Sequence, residues 1–292
     1  MKSINNISVR QRWRMHKSDP WSLVLFLLVC LAAIITMGAL LFILAYILVN
    51  GIPHLSPGLF AWEYNSENVS LVPALMNTVF MTVLALLAAV PTGVGAAVYL
   101  TEYAKRGNKL VGVVRIAAET LSGVPSIVYG LFGALFFVKA LGLGLSLLSG
   151  SLTMAIVILP LIMRTTEEAL LAVPDSYREG SFGLGAGKLR TVFQVVLPSA
   201  LPGILSGVIL SVGRIVGESA ALIFTAGTVA QAATRLLASA RTLSVHMYVL
   251  SGEGLHIDET YATAVVLLAV VIAINALSNY AAKKLGGTKL GQ

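Results

Sequence analysis

The chain has 292 residues, 57% of them hydrophobic and only 11% charged, with a mean hydropathy of +0.87 and a formal net charge of +7. Soluble domains carry about 25% charged residues, so this composition excludes a water-soluble globule and points to an integral membrane protein. A lone cysteine, Cys30, excludes an internal disulfide and a cysteine metal cluster, and His16, His54, His246 and His256 show no metal-ligand spacing.

A helix that crosses the hydrocarbon needs about 20 mostly apolar residues. Six segments qualify: 21–50, 71–100, 111–140, 151–171, 200–226 and 261–282. The first is too long for a signal-peptide core and lacks a small-residue cleavage pattern, so it reads as a retained helix. Pro125 interrupts the third span and Pro160 lies inside the fourth. The expectation is one all-α membrane domain, residues 1–292, with a tail at 1–20 and short ends that carry no soluble domain.

Basic residues orient it, because cytoplasmic loops collect Lys and Arg. Lys2, Arg10, Arg12, Arg14 and Lys17 precede span one, and Lys105, Arg106, Lys109 and Arg115 follow span two. Arg164, Arg178, Lys188 and Arg190 surround the loop after span four, and Lys283, Lys284 and Lys289 close the chain. The opposite loops hold only Lys139, Arg235 and Arg241. Both termini are therefore expected in the cytoplasm, and the basic excess needs no nucleic acid to explain it.

The loop between spans four and five, 173–198 within "VPDSYREGSFGLGAGKLRTVFQVVLPSALPGI", is unusually structured. Pro174, Asp175 and Ser176 are a helix start, Gly183, Gly185 and Gly187 break it, and "KLRTVFQVVLP" resumes it. By physics alone it is either an amphipathic connector at the membrane surface or a docking site for a soluble partner.

The loop resembles the cytoplasmic loop of ABC importer permeases, which has the form E-A-A, three residues, G, nine residues, I, one residue, L-P. Here the pattern falls on Glu179, Gly180 and Ser181, then Gly185, Val195, Leu197 and Pro198. Gly-Ser replaces Ala-Ala and Val replaces Ile, with the spacing kept. The resemblance implies a six-helix bundle of the type I importer kind whose loop docks on an ATPase subunit and follows its motion. "NTVFMTVLALLAAVPTGVGAAVYLTEY" (77–103) is similar to the family's second helix. "SGVPSIVYGLFG" (122–133), "RTTEEALLAVPDSYREG" (164–180) and "GRIVGESAALIFTAG" (213–227) together resemble the permeases of phosphate-specific importers, the second permease subunit more than the first.

Span five carries Arg214 and Glu218 where lipid is expected. Charges inside a span cost about 2.5 kcal/mol or more each and are functional candidates by default. At i, i+4 the two share a helix face and can pair. The pair is either structural glue between helices or part of a substrate path. Arginine suits an oxyanion, because its planar fork donates two parallel hydrogen bonds and stays charged in dry surroundings. Gly213, Gly217 and Ser219 leave room beside it. Asn77 and Thr78 in span two, and Ser122 and Ser126 around Pro125, are weaker candidates that equally suit hydrogen bonds between helices.

The resemblance implies one half of the translocation pathway of an ATP-driven phosphate importer in the inner membrane. Expected partners are a homologous permease, two copies of an ATP-binding subunit, an extracytoplasmic phosphate-binding protein and membrane lipid. The chain itself is expected to bind no cofactor: it has no GxxxxGK[ST] phosphate loop, so ATP and magnesium belong to the partners. Two other readings stay open, a permease for another solute and a secondary transporter coupled to protons through Glu218.

Overall fold

The computed structural model describes residues 20–105 and 107–286; the expected tail before residue 20 and Lys289 lie outside the described residues. The described chain is all helical. Helix α1 (Pro20–Gly51) leads through two short 3-10 turns to α2 (Val72–Tyr103). Then come α3 (Lys109–Ser122), α4 (Ser126–Ala140), α5 (Leu147–Leu171), α6 (Asp175–Gly183), α7 (Lys188–Gly217), α8 (Ala220–Ile223), α9 (Leu243–Glu253) and α10 (Ile257–Gly286). Five of these are long and apolar enough to cross a membrane, or six when α3 and α4 count as one bent span.

Helix α5 is the axis, flanked by α2 and α7, with α10 outside α7 and α1 outside α10. Small residues set the approach, as bundles in lipid require. A Cβ on Gly93 of α2 would fall 2.9 Å from Ile162 of α5, and one on Gly203 of α7 would fall 2.6 Å from Ala169 of α5. One helical turn on, Gly207 sits against Thr165. Met81, Met154, Ile158, Ile162, Ile215 and Leu222 fill the buried core. Helix α1 buries none of its apolar window and touches the bundle near Gly51, where Tyr46 meets Tyr261 edge to face at 5.8 Å.

Two expected spans are corrected. The segment 111–140 is no single helix: α3 and α4 meet at 103° across Gly123, Val124 and Pro125. Proline lacks the N–H that would continue the helix and drives its predecessor out of helical geometry. The Tyr129 hydroxyl fixes the bend by donating to the Leu121 carbonyl at 2.7 Å. Fourteen residues of α3 reach roughly 21 Å, too short to cross alone. The fifth span begins at Lys188 and ends at Gly217 rather than covering 200–226.

Beyond Gly217 the chain forms the outer half of the bundle from short pieces. Residues 224–242 fold back as irregular backbone whose polar groups are taken up locally. Leu147 and Leu148, whose N–H groups start α5, donate to the Ala238 and Leu236 carbonyls, and Ser146 donates to Thr225. Asn77 of α2 clamps the same segment: its amide donates to the Gln231 and Arg241 carbonyls at 3.1 Å and accepts from Ala233 N–H at 2.8 Å. Thr78 accepts from Leu243 N–H at 2.9 Å.

Arg241 is buried in this closure without a carboxylate partner among the described residues. Its Nε donates to the Thr228 carbonyl at 2.8 Å, its guanidinium lies 5.6 Å from the Tyr64 ring centroid, and its Nη1 lies 3.3 Å from His246 Nδ1. Guanidinium only donates, so Nδ1 accepts and the neutral imidazole carries its proton on Nε2. Burial, then the Arg241 charge, push the His246 pKa down from 6.5 to about 4. A folded value below the unfolded one gives stability that is complete above pH 6.5 and lost as pH falls through about 4, by up to about 3 kcal/mol. The thermal unfolding midpoint in detergent is therefore expected to drop between pH 6.5 and 4, and His246→Gln, which keeps an acceptor for Arg241, should flatten that drop. An equal drop in the variant would assign the acid sensitivity elsewhere.

Candidate functional site

Three arginines and three glutamates line a cavity of about 660 Å³ between α3, α5 and the end of α7. They are Arg115 and Glu119 of α3, Arg164, Glu167 and Glu168 of α5, and Arg214 of α7; Ser122 and Pro160 also line it. Pro160 leaves the Ile156 carbonyl without its helical donor, so the α5 wall is weakened at this level.

The charges are not equivalent. Arg115 pairs with Glu167, and Arg164 Nε donates to Glu168 at 3.1 Å. Arg214 has no hydrogen bond or ion pair among the described residues and is half-buried. Its depth follows from packing. Gly203 lies against Ala169 and Gly207 against Thr165, so the antiparallel register continued two turns places Arg214 level with Ile158, near the middle of α5. The cavity runs from that level to Arg164, Glu168 and Leu171, which are exposed toward the C-terminal end of α5.

The expected Arg214–Glu218 pair on one helical face is corrected. Helix α7 stops at Gly217, and Glu218 is extended, with φ −79° and ψ 128°. Its Oε1 accepts from Ala221 N–H at 3.1 Å, capping α8, and its carbonyl accepts from the Ser244 hydroxyl. The Ser219 carbonyl accepts from Leu222 and Ile223. Glu218 and Ser219 thus build the break, while Arg214 faces the cavity across from them. Ser122 lies at the cavity, its hydroxyl donating back to Glu119 O at 2.7 Å, and Ser126 starts α4 beyond the bend. Asn77 and Thr78 stand apart, engaged in the outer closure.

The loop at 173–198 forms a compact helix pair. Glu179 and Gly180 are exposed on α6, and Gly185 turns the chain with φ +83°, a left-handed conformation that favours glycine. Ser181 meets Thr191 hydroxyl to hydroxyl at 2.9 Å, and Val195, Leu197 and Pro198 lie on α7 as it enters the bundle. Sequence reasoning missed the anchor of this loop, Arg178 with Glu102, whose side chains are 15% and 9% exposed and joined at 2.7 Å. The two are far apart in the chain, and only the tertiary fold brings them together.

Residues 89–286 match the family model for the inner membrane component of binding-protein-dependent transport systems. A probable ABC transporter permease protein, YqgI of Bacillus subtilis, is 34% identical over 276 residues, covering 88% of this chain and 92% of that protein. The phosphate transport system permease protein PstA of Mycobacterium leprae is 40% identical over 154 residues, 53% of this chain and 50% of its own length. A PstA homolog of Mycoplasma pneumoniae is 31% identical over 257 residues, 85% of this chain and 39% of that protein. Among solved structures, a bacterial ABC transporter involved in alginate import shares the fold with a TM-score of 0.63 at 15% identity, over 94% of this chain and 99% of that one. The MetNI methionine ABC transporter, in an inward-facing conformation, gives 0.60 at 21% identity over 74% of this chain and 95% of that one.

If Glu218 acts as a cap and not as a counter-ion, its charge is dispensable for folding. Glu218→Ala should lower stability by about 1 kcal/mol, the usual worth of a lost cap, while Glu218→Gln, which keeps the acceptor oxygen, should stay within about 0.5 kcal/mol of the parent. Thermal unfolding in detergent reads both. Equal losses would mean that the carboxylate charge itself is needed.

Proposed function

This chain belongs to the family of inner membrane components of binding-protein-dependent transport systems, and from that premise we propose that it forms half of the pathway of an ATP-driven importer of inorganic phosphate. Membership makes it a multi-pass inner membrane permease of an ABC importer, without an ATPase site of its own, working with ATPase subunits and an external binding protein. The proposal adds phosphate as the solute, a homologous permease as the other half, two copies of the ATPase and a phosphate-binding protein as donor.

One observation carries it: Arg214, unpaired among the described residues and level with the middle of α5, on a cavity that reaches the C-terminal end of that helix. An unpaired guanidinium there is costly unless something visits it. Its fork offers two parallel donors to two oxygens of a tetrahedral oxyanion. The other arginines of the cavity are neutralised by Glu167 and Glu168. Among the described residues an anion in this cavity therefore meets one cation without a carboxylate partner, and Glu119 adds repulsion that helps release it. Ser122 lines the cavity with its hydroxyl donated to the Glu119 carbonyl, and Ser126 starts α4 beyond the bend, so both contribute less to the reading than Arg214. Glu218 and Ser219 act by ending α7 so that Arg214 reaches the cavity. Asn77 and Thr78 act only through the outer closure.

Glu179, Gly180, Ser181 and Gly185, with Val195, Leu197 and Pro198 behind them, form the element on which the ATPase docks. Its exposed apolar tip, Leu184 at 91% exposure and Phe182 at 47%, supports that role. The relatives named as phosphate permeases support the solute, and the relative with the longer alignment bears no solute in its name.

The test is uptake of labelled inorganic phosphate by the whole complex in liposomes, with ATP supplied on the cytoplasmic side and excess sulfate as competitor. Uptake should require ATP and persist with sulfate. Arg214→Lys keeps the charge and loses the fork; one charge-assisted hydrogen bond is worth about 1.5–3 kcal/mol, so uptake should fall about 10- to 100-fold with assembly intact. Arg214→Gln should abolish it. Near-parental uptake by Arg214→Gln would refute the assignment of Arg214.

A further inference from the structure

Arg178 precedes the loop motif by one residue and holds three elements at once. Its Nη2 and Nε donate to Glu102 Oε1, at the end of α2, at 2.7 and 3.2 Å. Nη2 also donates to the Leu170 carbonyl at 2.9 Å and Nη1 to the Val173 carbonyl at 2.8 Å, at the cytoplasmic end of α5. Nη1 reaches Asp175, at the start of α6, at 3.2 Å. Carbonyls at a helix end lack their helical partners, and this guanidinium adds to the Val173 N–H that the Leu170 carbonyl accepts at 3.3 Å and serves the Val173 carbonyl beside it. An exposed ion pair between flexible side chains transmits little. This one is mostly buried, multidentate and fixed to backbone, and so behaves as a rigid joint.

Glu102 lies on a short π-helical turn that ends α2. A second tie lies beside it, with Lys188 of α7 5.2 Å from the Tyr103 ring centroid. At its other end α2 carries Asn77, the clamp on the outer closure. Glu102 and Asn77 are roughly 37 Å apart along a helix rising 1.5 Å per residue. Helix α2, with Pro91 between these two points, thus has the cytoplasmic loop fastened to one end and the outer closure to the other.

We propose that the Arg178–Glu102 contact is the joint that passes movement of the cytoplasmic loop into α2, and through Asn77 to the outer closure. Arg178 and Glu102 are positioning residues for transport; they touch neither solute nor nucleotide. The inference rests on the reading of α6 as the ATPase docking element.

The test uses the whole complex with Cys30→Ala and spin labels at Leu184, on the loop, and Tyr99, near the end of α2. With the joint intact, the distance between the labels should stay constant when ATP binds. Glu102→Leu removes the acceptor and leaves Arg178 its bonds to α5 and Asp175. It should let that distance move by ~2 Å or more, the scale of helix shifts, while the ATPase still copurifies. ATP hydrolysed per phosphate imported should rise at least about fivefold, the lower end of coupling between sites. Glu102→Gln, which restores an acceptor oxygen, should recover part of both effects, and it carries the test if Glu102→Leu does not insert. An unchanged distance and an unchanged ratio in both variants would overturn the joint. So would a distance that already moves in the parent. An ATPase that fails to copurify with the parent would instead sink the docking assignment, and the joint with it.

Discussion

Backbone amides cannot be left bare in hydrocarbon, and the architecture follows from how this chain meets that requirement where α7 ends. The helix stops at Gly217, level with the middle of α5, and irregular backbone follows at a depth where lipid would forbid it. The break is tolerated because hydrogen bonds within the protein take up its polar groups. Glu218 caps α8, the fold-back segment takes up the first amides of α5, and Asn77 makes three hydrogen bonds to it. Substituting Asn77 would strand buried groups at about 1–3 kcal/mol each.

Ending α7 at this depth has a consequence for charge. Had the helix continued, Arg214 and Glu218 would share a face and neutralise each other. With Glu218 turned into a cap, the guanidinium is left to the cavity. The bend at Pro125 opens the other wall, and Arg115 and Arg164 are neutralised by their own glutamates. The half built around the 224–242 fold-back is closed by hydrogen bonds, while the cavity opens at the opposite end of the bundle.

Local features were legible in the sequence. The basic loops, the apolar spans and the loop spacing from Glu179 to Pro198 are patterns within a few dozen residues, and chemistry alone identifies Arg214 as expensive in lipid. The break at Gly217 was not legible, because "GRIVGESAALIF" is apolar on both sides and an i, i+4 argument assumes an unbroken helix. Pro125 signalled an interruption, but its 103° angle depends on Tyr129 reaching back to Leu121. Arg178 with Glu102, and the meeting of Arg115, Arg164 and Arg214 at one cavity, join residues distant in the chain and have no local signature.

The central claim, a free Arg214 guanidinium open to the cytoplasm and occupied by phosphate, is tested most directly by chemical accessibility. Leu161→Cys, on the same cavity and with Arg214 kept, is placed in a Cys30→Ala background, and the complex with its partners in inside-out vesicles is treated with a charged methanethiosulfonate reagent in the absence of ATP. Modification from the cytoplasmic face, slowed by inorganic phosphate and not by sulfate, is the predicted result. Modification only from the outer face would contradict the account.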